Sequence, residues 1–290
     1  MCITFKAATS PAHKPLAVSL KRLQLHKKIK FMKQLLTIII GLFCSTATVY
    51  ARCAMSGFSV FPSGQTIKQN SIFILDGYRE SQNVILELNK KYNIYLKSGN
   101  KKINLLVSEI CVGQFYLTQA VLKPETELEA ELEYTMYIDS LPEYESFNKY
   151  NKTTHKYEPV TYKVLAERDN EKPQLTTKPK ELKKSLVHFG CGPSIHVVFS
   201  SPVKDNSDII VKTTVKNIKT GIETIYYIQP DGDKISVGHG MCSGAFDFEK
   251  NSNNYEVEFS FMYATGNLTT WTGERIKFSK PTNETNYDDE

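Results

Sequence analysis

One pattern occurs twice in the chain: His188-Phe189-Gly190-Cys191 and His239-Gly240-Met241-Cys242. Two imidazoles and two thiolates are the donor set of a tetrahedral zinc or soft copper centre, with His196 nearby and Met241 as a further soft donor for copper. The competing chemistry is a disulfide between Cys191 and Cys242, with the histidines incidental. The run Gly240-Met241-Cys242-Ser243-Gly244 also has the outline of a nucleophile elbow, which needs a strand, a sharp turn and a helix. The residues after Cys242 read instead as a turn and a strand, and no histidine lies downstream of it. The disulfide is therefore the expected state, and no catalytic residue is expected.

Other polar groupings have plainer explanations. Glu127, Glu129, Glu131 and Glu133 alternate with Leu128, Ala130 and Leu132. On a strand their carboxylates would form a ladder on one face, at a spacing of about 6.5–7 Å. Such a ladder keeps a sheet edge solvated and repels a neighbouring sheet, which explains it better than a weak Ca²⁺ stripe. Asp231 and Asp233 flank Gly232 in a hairpin turn and lack the spacing of a calcium loop. Trp271, the single tryptophan, is the speculative binding residue; Tyr255 and Tyr263 share parity with core positions. Asn151, Asn267 and Asn283 begin Asn-x-Thr sequons, which carry no weight behind a leader of bacterial style.

The compartment follows from residues 31–53. Met32-Lys33 opens a short basic segment, Leu35 to Phe43 is an apolar run, and Val49-Tyr50-Ala51 is a small-residue cleavage site. This is the layout of a secretory signal peptide, with the mature chain starting at Arg52. An uncleaved anchor is the alternative, since Leu35 to Ala51 is marginal for spanning a bilayer. Residues 1–51 carry eight Lys and Arg and no acid, so the remainder has 28 basic against 31 acidic residues. The basic balance of the whole chain thus comes from the leader, and no clustered basic face for nucleic acid is expected. Export leaves Cys53, Cys111, Cys191 and Cys242 in an oxidising compartment. Four cysteines allow three pairings; Cys53–Cys111 and Cys191–Cys242 are expected because each pair stays within one domain.

Period-2 alternation dominates beyond the leader. Tyr255, Val257, Phe259, Phe261 and Tyr263 share one face; so do Ile209, Val211, Thr213 and Val215, and Ile195, Val197 and Phe199. Pro230-Asp231-Gly232-Asp233 and Thr220-Gly221 mark hairpin turns. In the first half, Ile72 to Leu75, Tyr92 to Leu96, Ile103 to Ile110, Phe115 to Val121 and Leu128 to Ile138 are expected strands. The predicted class is all-β: two tandem Ig-like β-sandwich domains preceded by a signal peptide. The divisions are 1–31 upstream extension, 32–51 signal peptide, 52–140 first domain, 141–180 linker with terminal strands such as Tyr157 to Leu165, 181–281 second domain and 282–290 acidic tail.

Two stretches carry a family resemblance. Residues 60–75, VFPSGQTIKQNSIFIL, and 121–139, VLKPETELEAELEYTMYID, resemble the opening and closing strands of bacterial immunoglobulin-like modules. Residues 261–271, FMYATGNLTTW, resemble the late strand and turn of fibronectin-type-III-like modules, with Tyr263 replacing the usual acid and Thr265 intervening. The resemblance implies an architecture and no chemistry. Some such modules carry copper on an N-terminal histidine; a mature start at Arg52-Cys53 has none. The expected protein is exported (periplasmic, cell-surface or secreted), non-enzymatic, and structural, adhesive or binding in role. It takes no cofactor, and its partner is an unknown protein or glycan at the cell envelope. Contact with the membrane would come only through an uncleaved signal segment. The alternatives are a Zn/Cu protein using His188, Cys191, His239 and Cys242, and a carbohydrate-binding accessory module using Trp271.

Overall fold

The structure, a computed structural model, describes residues 30–34, 53, 56–203 and 208–285. The apolar leader run and the cleavage site at Ala51 lie outside the described residues. Among those described, no helix is long and apolar enough to cross a membrane. Arg52–Glu290 is one compact unit.

That unit is built almost wholly of strands, as the alternation predicts. Its first body contains β1 (Gly57–Phe61), β2 (Thr66–Ile67), β3 (Phe73–Tyr78), β4 (Ile94–Ser98), β5 (Lys101–Val112), β6 (Leu117–Pro124), β7 (Glu133–Ile138) and β10 (Thr161–Val164). These eight form one hydrogen-bonded series, β1-β3-β6-β5-β4-β7-β10-β2. The series folds over because β5 serves two layers. Its start pairs with β4, its end pairs with β6, and the register shifts between Val107 and Glu109. An extra residue in one strand bends and twists it, which lets a 12-residue strand cross from one layer to the other. The opening segment is divided in the same way. Pro62 cannot donate to a ladder, so the strand breaks there; β1 pairs with β3 in one layer and β2 runs parallel to β10 in the other. Phe73, Leu75, Leu96, Leu105, Leu122, Tyr134 and Tyr162 fill the core between them.

Sequence reading missed the one helical turn of this body. After β3 a 3₁₀ turn (Arg79–Ser81) leads into α1 (Gln82–Leu86), whose Val84 and Ile85 are buried in the same core. Five residues with two apolar positions leave too little periodicity to detect. Gly77 makes room for this element: a Cβ there would lie 2.5 Å from Ile85 and 2.7 Å from the Ser81 carbonyl. Residues 141–180 hold β10 and a separate hairpin of β8 (Lys149–Asn151) and β9 (Lys156–Glu158).

The second body packs a three-stranded layer on a five-stranded one. β11 (Glu181–Phe189), β12 (Gly192–Ser200) and β15 (Lys234–His239) form the first. β13 (Ile209–Asn217), β14 (Glu223–Ile228), β16 (Asn254–Tyr263), β17 (Leu268–Thr270) and β18 (Ile276–Ser279) form the second, in the order β14-β13-β16-β17 with β18 also on β16. Val197, Phe199, Val211, Val215, Tyr255, Val257, Phe259, Phe261 and Phe278 make its core.

A third apolar cluster joins the bodies. Phe61, Ile74, Val121 and Cys111 meet Ile210, Tyr227 and Met262. Consequently β3 and β6 are covered on both faces: Phe73, Leu75 and Leu122 point into the first core, while Ile74 and Val121 point into the junction. This is why β6 shows an unbroken buried run, Leu117 to Leu122, in place of an alternating one.

Candidate functional site

The twin His-x-x-Cys motifs do not assemble into a metal site. Cys242 is bonded to Cys53, with Cα atoms 5.4 Å apart, so one of the four donors is consumed. His188 is exposed and pairs with Glu284 at 2.9 Å. Among the described residues, no group of three or more His, Cys, Asp or Glu could hold a metal ion. The expected pairings, Cys53–Cys111 and Cys191–Cys242, are likewise replaced: Cys111 and Cys191 are free thiols. The expectation assumed that each domain closes its own bridge. Instead Cys53, ahead of β1 in the sequence, is bonded to Cys242 in the loop after β15, so the bridge joins the two bodies, while Cys111 on β5 faces the junction core. Burial, followed by the nearby Glu109 carboxylate, pushes the Cys111 thiol up to about 12. That makes it an inert packing residue.

The other candidates also resolve. Only Glu133 of the four alternating glutamates lies on a strand, because β7 starts there and not at Leu128. The remaining three have separate cations: Glu127 with Arg168 at 3.0 Å, Glu129 with Lys101, and Glu131 with Lys163 at 3.3 Å. No ladder forms. Asp231 exchanges backbone hydrogen bonds with Lys234 around Gly232, whose φ of +60° suits a hairpin turn. Tyr255 is core, so no three-ring platform exists with Trp271. The Trp271 indole packs over Gly273, where a Cβ would come within 2.5 Å of Nε1.

His239 forms the hub of the junction. It is buried, its Nδ1 lies 2.8 Å from the Gly240 carbonyl and its Nε2 lies 3.2 Å from Asp247 Oδ1. The Gly240 carbonyl can only accept, so Nδ1 donates in that contact. The Phe115 ring, from the turn between β5 and β6, packs on the imidazole at a centroid distance of 4.2 Å. Gly244 pairs with Phe115 and must be glycine, since a Cβ would come within 2.4 Å of His239. Alongside, the Glu109 carboxylate accepts from Lys212 Nζ at 2.9 and 3.0 Å and from the Tyr227 hydroxyl at 2.9 Å. Burial pushes Glu109 up, but the hydrogen bonds from Lys212 and Tyr227 and the Lys212 charge outweigh it and hold the carboxyl below its ordinary value.

One cavity lies beside this junction. It has a volume of about 380 Å³ and is bounded by β1 and β3 of the first body, the β8–β9 hairpin, and Ile210 and Tyr227 of the second. The rings of Phe58, Phe147, Tyr150, Tyr157 and Tyr227 line it. Phe58 and Phe147 meet edge to face at 5.8 Å, and Tyr150 and Tyr157 at 5.3 Å. Asp76 and Gln119 line the same cavity. Asp76 accepts from Gln119 Nε2 at 2.9 Å, Ser59 Oγ at 3.1 Å and the Tyr78 hydroxyl at 3.2 Å. Gln119, 2% exposed, also pairs with the backbone of β14: its Nε2 donates to the Tyr227 carbonyl at 2.9 Å and its Oε1 accepts from the Tyr227 N–H at 2.8 Å. Its amide thereby acts as a one-residue strand on an otherwise unpaired edge. Desolvation lifts the Asp76 carboxyl to about 6, with the three donors opposing the shift. A second cavity of about 270 Å³, also lined by the hairpin, shares Lys149, Tyr150 and Val160 with the first.

Sequence reasoning missed this site. Its signal was one polar residue inside each of two apolar strands, Asp76 in FILDGY and Gln119 in LTQAVL.

No protein-family model matches the chain, and no curated protein matches it. Among solved structures, a pullulanase from Anoxybacillus sp. LM18-11 complexed with maltotriose aligns over 74% of this chain and 24% of its own, at 10% identity and a TM-score of 0.23. Pullulanase type I from Bacillus subtilis str. 168 aligns over 77% and 24%, at 10% identity and 0.23. The tandem Ig repeats of Dlar align over 76% and 97%, at 8% identity and 0.22. The chain thus spans about a quarter of each pullulanase, and likenesses at such TM-scores carry no argument about function.

Proposed function

We propose that the chain is an exported, non-enzymatic binding protein made of two Ig-like sandwiches, and that it holds a small ligand in the aromatic cleft at their junction. The observation that carries this is the cleft itself. About 380 Å³ falls in the size range of small-molecule sites, and aromatic walls with a few convergent polar groups are their usual make-up. The Ig-like reading of the second body is supported by its layers, β11-β12-β15 against β14-β13-β16 with β17 and β18, which follow the ABE and C′CFG order of such sandwiches. Export is supported by the Cys53–Cys242 bridge, since disulfides persist in oxidising compartments. A non-enzymatic role fits a cleft in which Gln119 is engaged in holding the bodies together.

The test is a small-molecule screen by ligand-induced thermal shift, on the full chain and on a Tyr150→Ala/Tyr157→Ala variant. Both rings project from the hairpin, so the variant keeps its core. Compounds that stabilise the full chain are expected to lose that effect in the variant; stabilisation retained there would move the site elsewhere. N-terminal sequencing of the cellular protein is expected to give Arg52, and a retained Met1 in protein recovered from the reducing cytosol would overturn export.

A further inference from the structure

We propose that the cleft receives an alkylammonium group, seated against the Asp76 carboxylate with its hydrocarbon part among the rings of Phe58, Phe147 and Tyr157; this rests on reading the cleft as the ligand site. The inference comes from an imbalance of charge. All three donors to Asp76, Gln119 Nε2, Ser59 Oγ and the Tyr78 hydroxyl, are neutral. A carboxylate offers about four lone-pair positions, so at least one is left unfilled on a residue that lines the cavity. Among the described residues no Lys, Arg or His is an ion-pair partner of Asp76. Lys149, which also lines the cavity, gives its Nζ to the Ser63 carbonyl instead.

A carboxylate withdrawn from water without a counter-ion is costly, and a bound cation restores the balance. The walls select the kind of cation. Aromatic rings attract ammonium groups through their quadrupoles and also cover apolar carbon, whereas a metal ion would find Asp76 as the one carboxylate among the lining residues. An anion would be repelled by Asp76. A neutral sugar could hydrogen-bond to it but would leave its charge unbalanced.

The full chain is titrated by calorimetry at pH 8 and constant ionic strength with n-butylammonium, with Nα-acetyl-lysine methylamide and with n-butanol. Saturable binding of either ammonium compound is expected, at least tenfold tighter than n-butanol. The stronger of the two tells whether a free amine or a lysine side chain is the natural source. Asp76→Asn, which keeps the size of the side chain, is expected to weaken ammonium binding at least tenfold while leaving n-butanol unchanged. Its near-ultraviolet circular dichroism should match the parent. Equal binding of n-butanol and n-butylammonium, or an unchanged affinity in Asp76→Asn, would overturn the proposal. The ring signals of Phe147 and Tyr157 in NMR separate the two levels. If only neutral solutes shift them, the cleft stands and the cationic class falls; if no solute does, both fall.

Discussion

The folded chain holds the Asp76 proton more tightly than the unfolded chain does, because the half-buried carboxylate is desolvated and has no cation beside it. Its pKa rises from 3.8 to about 6, and this sets the sign of the pH dependence. The favourable contribution is complete below about pH 3.8 and is lost as pH rises through about 6, so at neutral pH the group opposes folding. The full swing is at most about 3 kcal/mol, at 1.36 kcal/mol for each pKa unit. Asp76→Asn removes the titration while keeping an acceptor for Gln119 and a donor for the hydroxyl oxygens of Ser59 and Tyr78. Urea unfolding at pH 4 and at pH 7.5 should therefore show the parent losing stability relative to the variant across that interval. A difference that stays constant with pH would mean that burial does not shift this carboxyl.

At the scale of elements, β14 is an edge strand finished by one side chain. Gln119→Ala leaves the Tyr227 N–H and C=O without partners, which costs about 1–3 kcal/mol for a buried polar group. Gln119→Glu should cost more at pH 7.5, since it opposes a carboxylate to the Tyr227 carbonyl and to Asp76, and part of the loss should return at pH 5. Urea midpoints of the two variants check the order; a Glu variant as stable as the Ala variant at pH 7.5 would contradict it. The strands were legible because alternation is local: β13 and β16 lie where Ile209–Val215 and Tyr255–Tyr263 alternate, and β14 and β15 are joined at the Asp231-Gly232 turn. The expected strand at Leu128–Ile138 was too long because its glutamate alternation imitated a β face over a turn. The cleft was not legible, since its parts come together only in the fold. Asp76 and Gln119 are 43 residues apart, and Gln119 and Tyr227 are 108 apart. The disulfide partners were missed for the same reason, being 189 residues apart.

For the whole molecule, the question is whether the two bodies behave as one. Noncovalent links cross the junction at several places, among them the apolar cluster around Ile74 and Tyr227, the Gln119–Tyr227 hydrogen bonds, the Glu109–Lys212 pair and the Phe115–His239 stack. The Cys53–Cys242 bridge adds a covalent link. In the chain-entropy account, closing a loop of this length restricts the unfolded chain by about 5 kcal/mol. Cys53→Ser/Cys242→Ser should therefore lower stability by about 3–5 kcal/mol. It should not separate the bodies, because the noncovalent links remain in the folded state. Trp271 lies in the second body only, so its fluorescence reports that body, while far-ultraviolet circular dichroism reports strands in both. The two signals are expected to give the same urea midpoint in the parent and in the double serine variant. If they diverge once the bridge is removed, the bridge and not the packed junction is what makes the bodies one unit, and a cleft that depends on both of them would then lose its second wall.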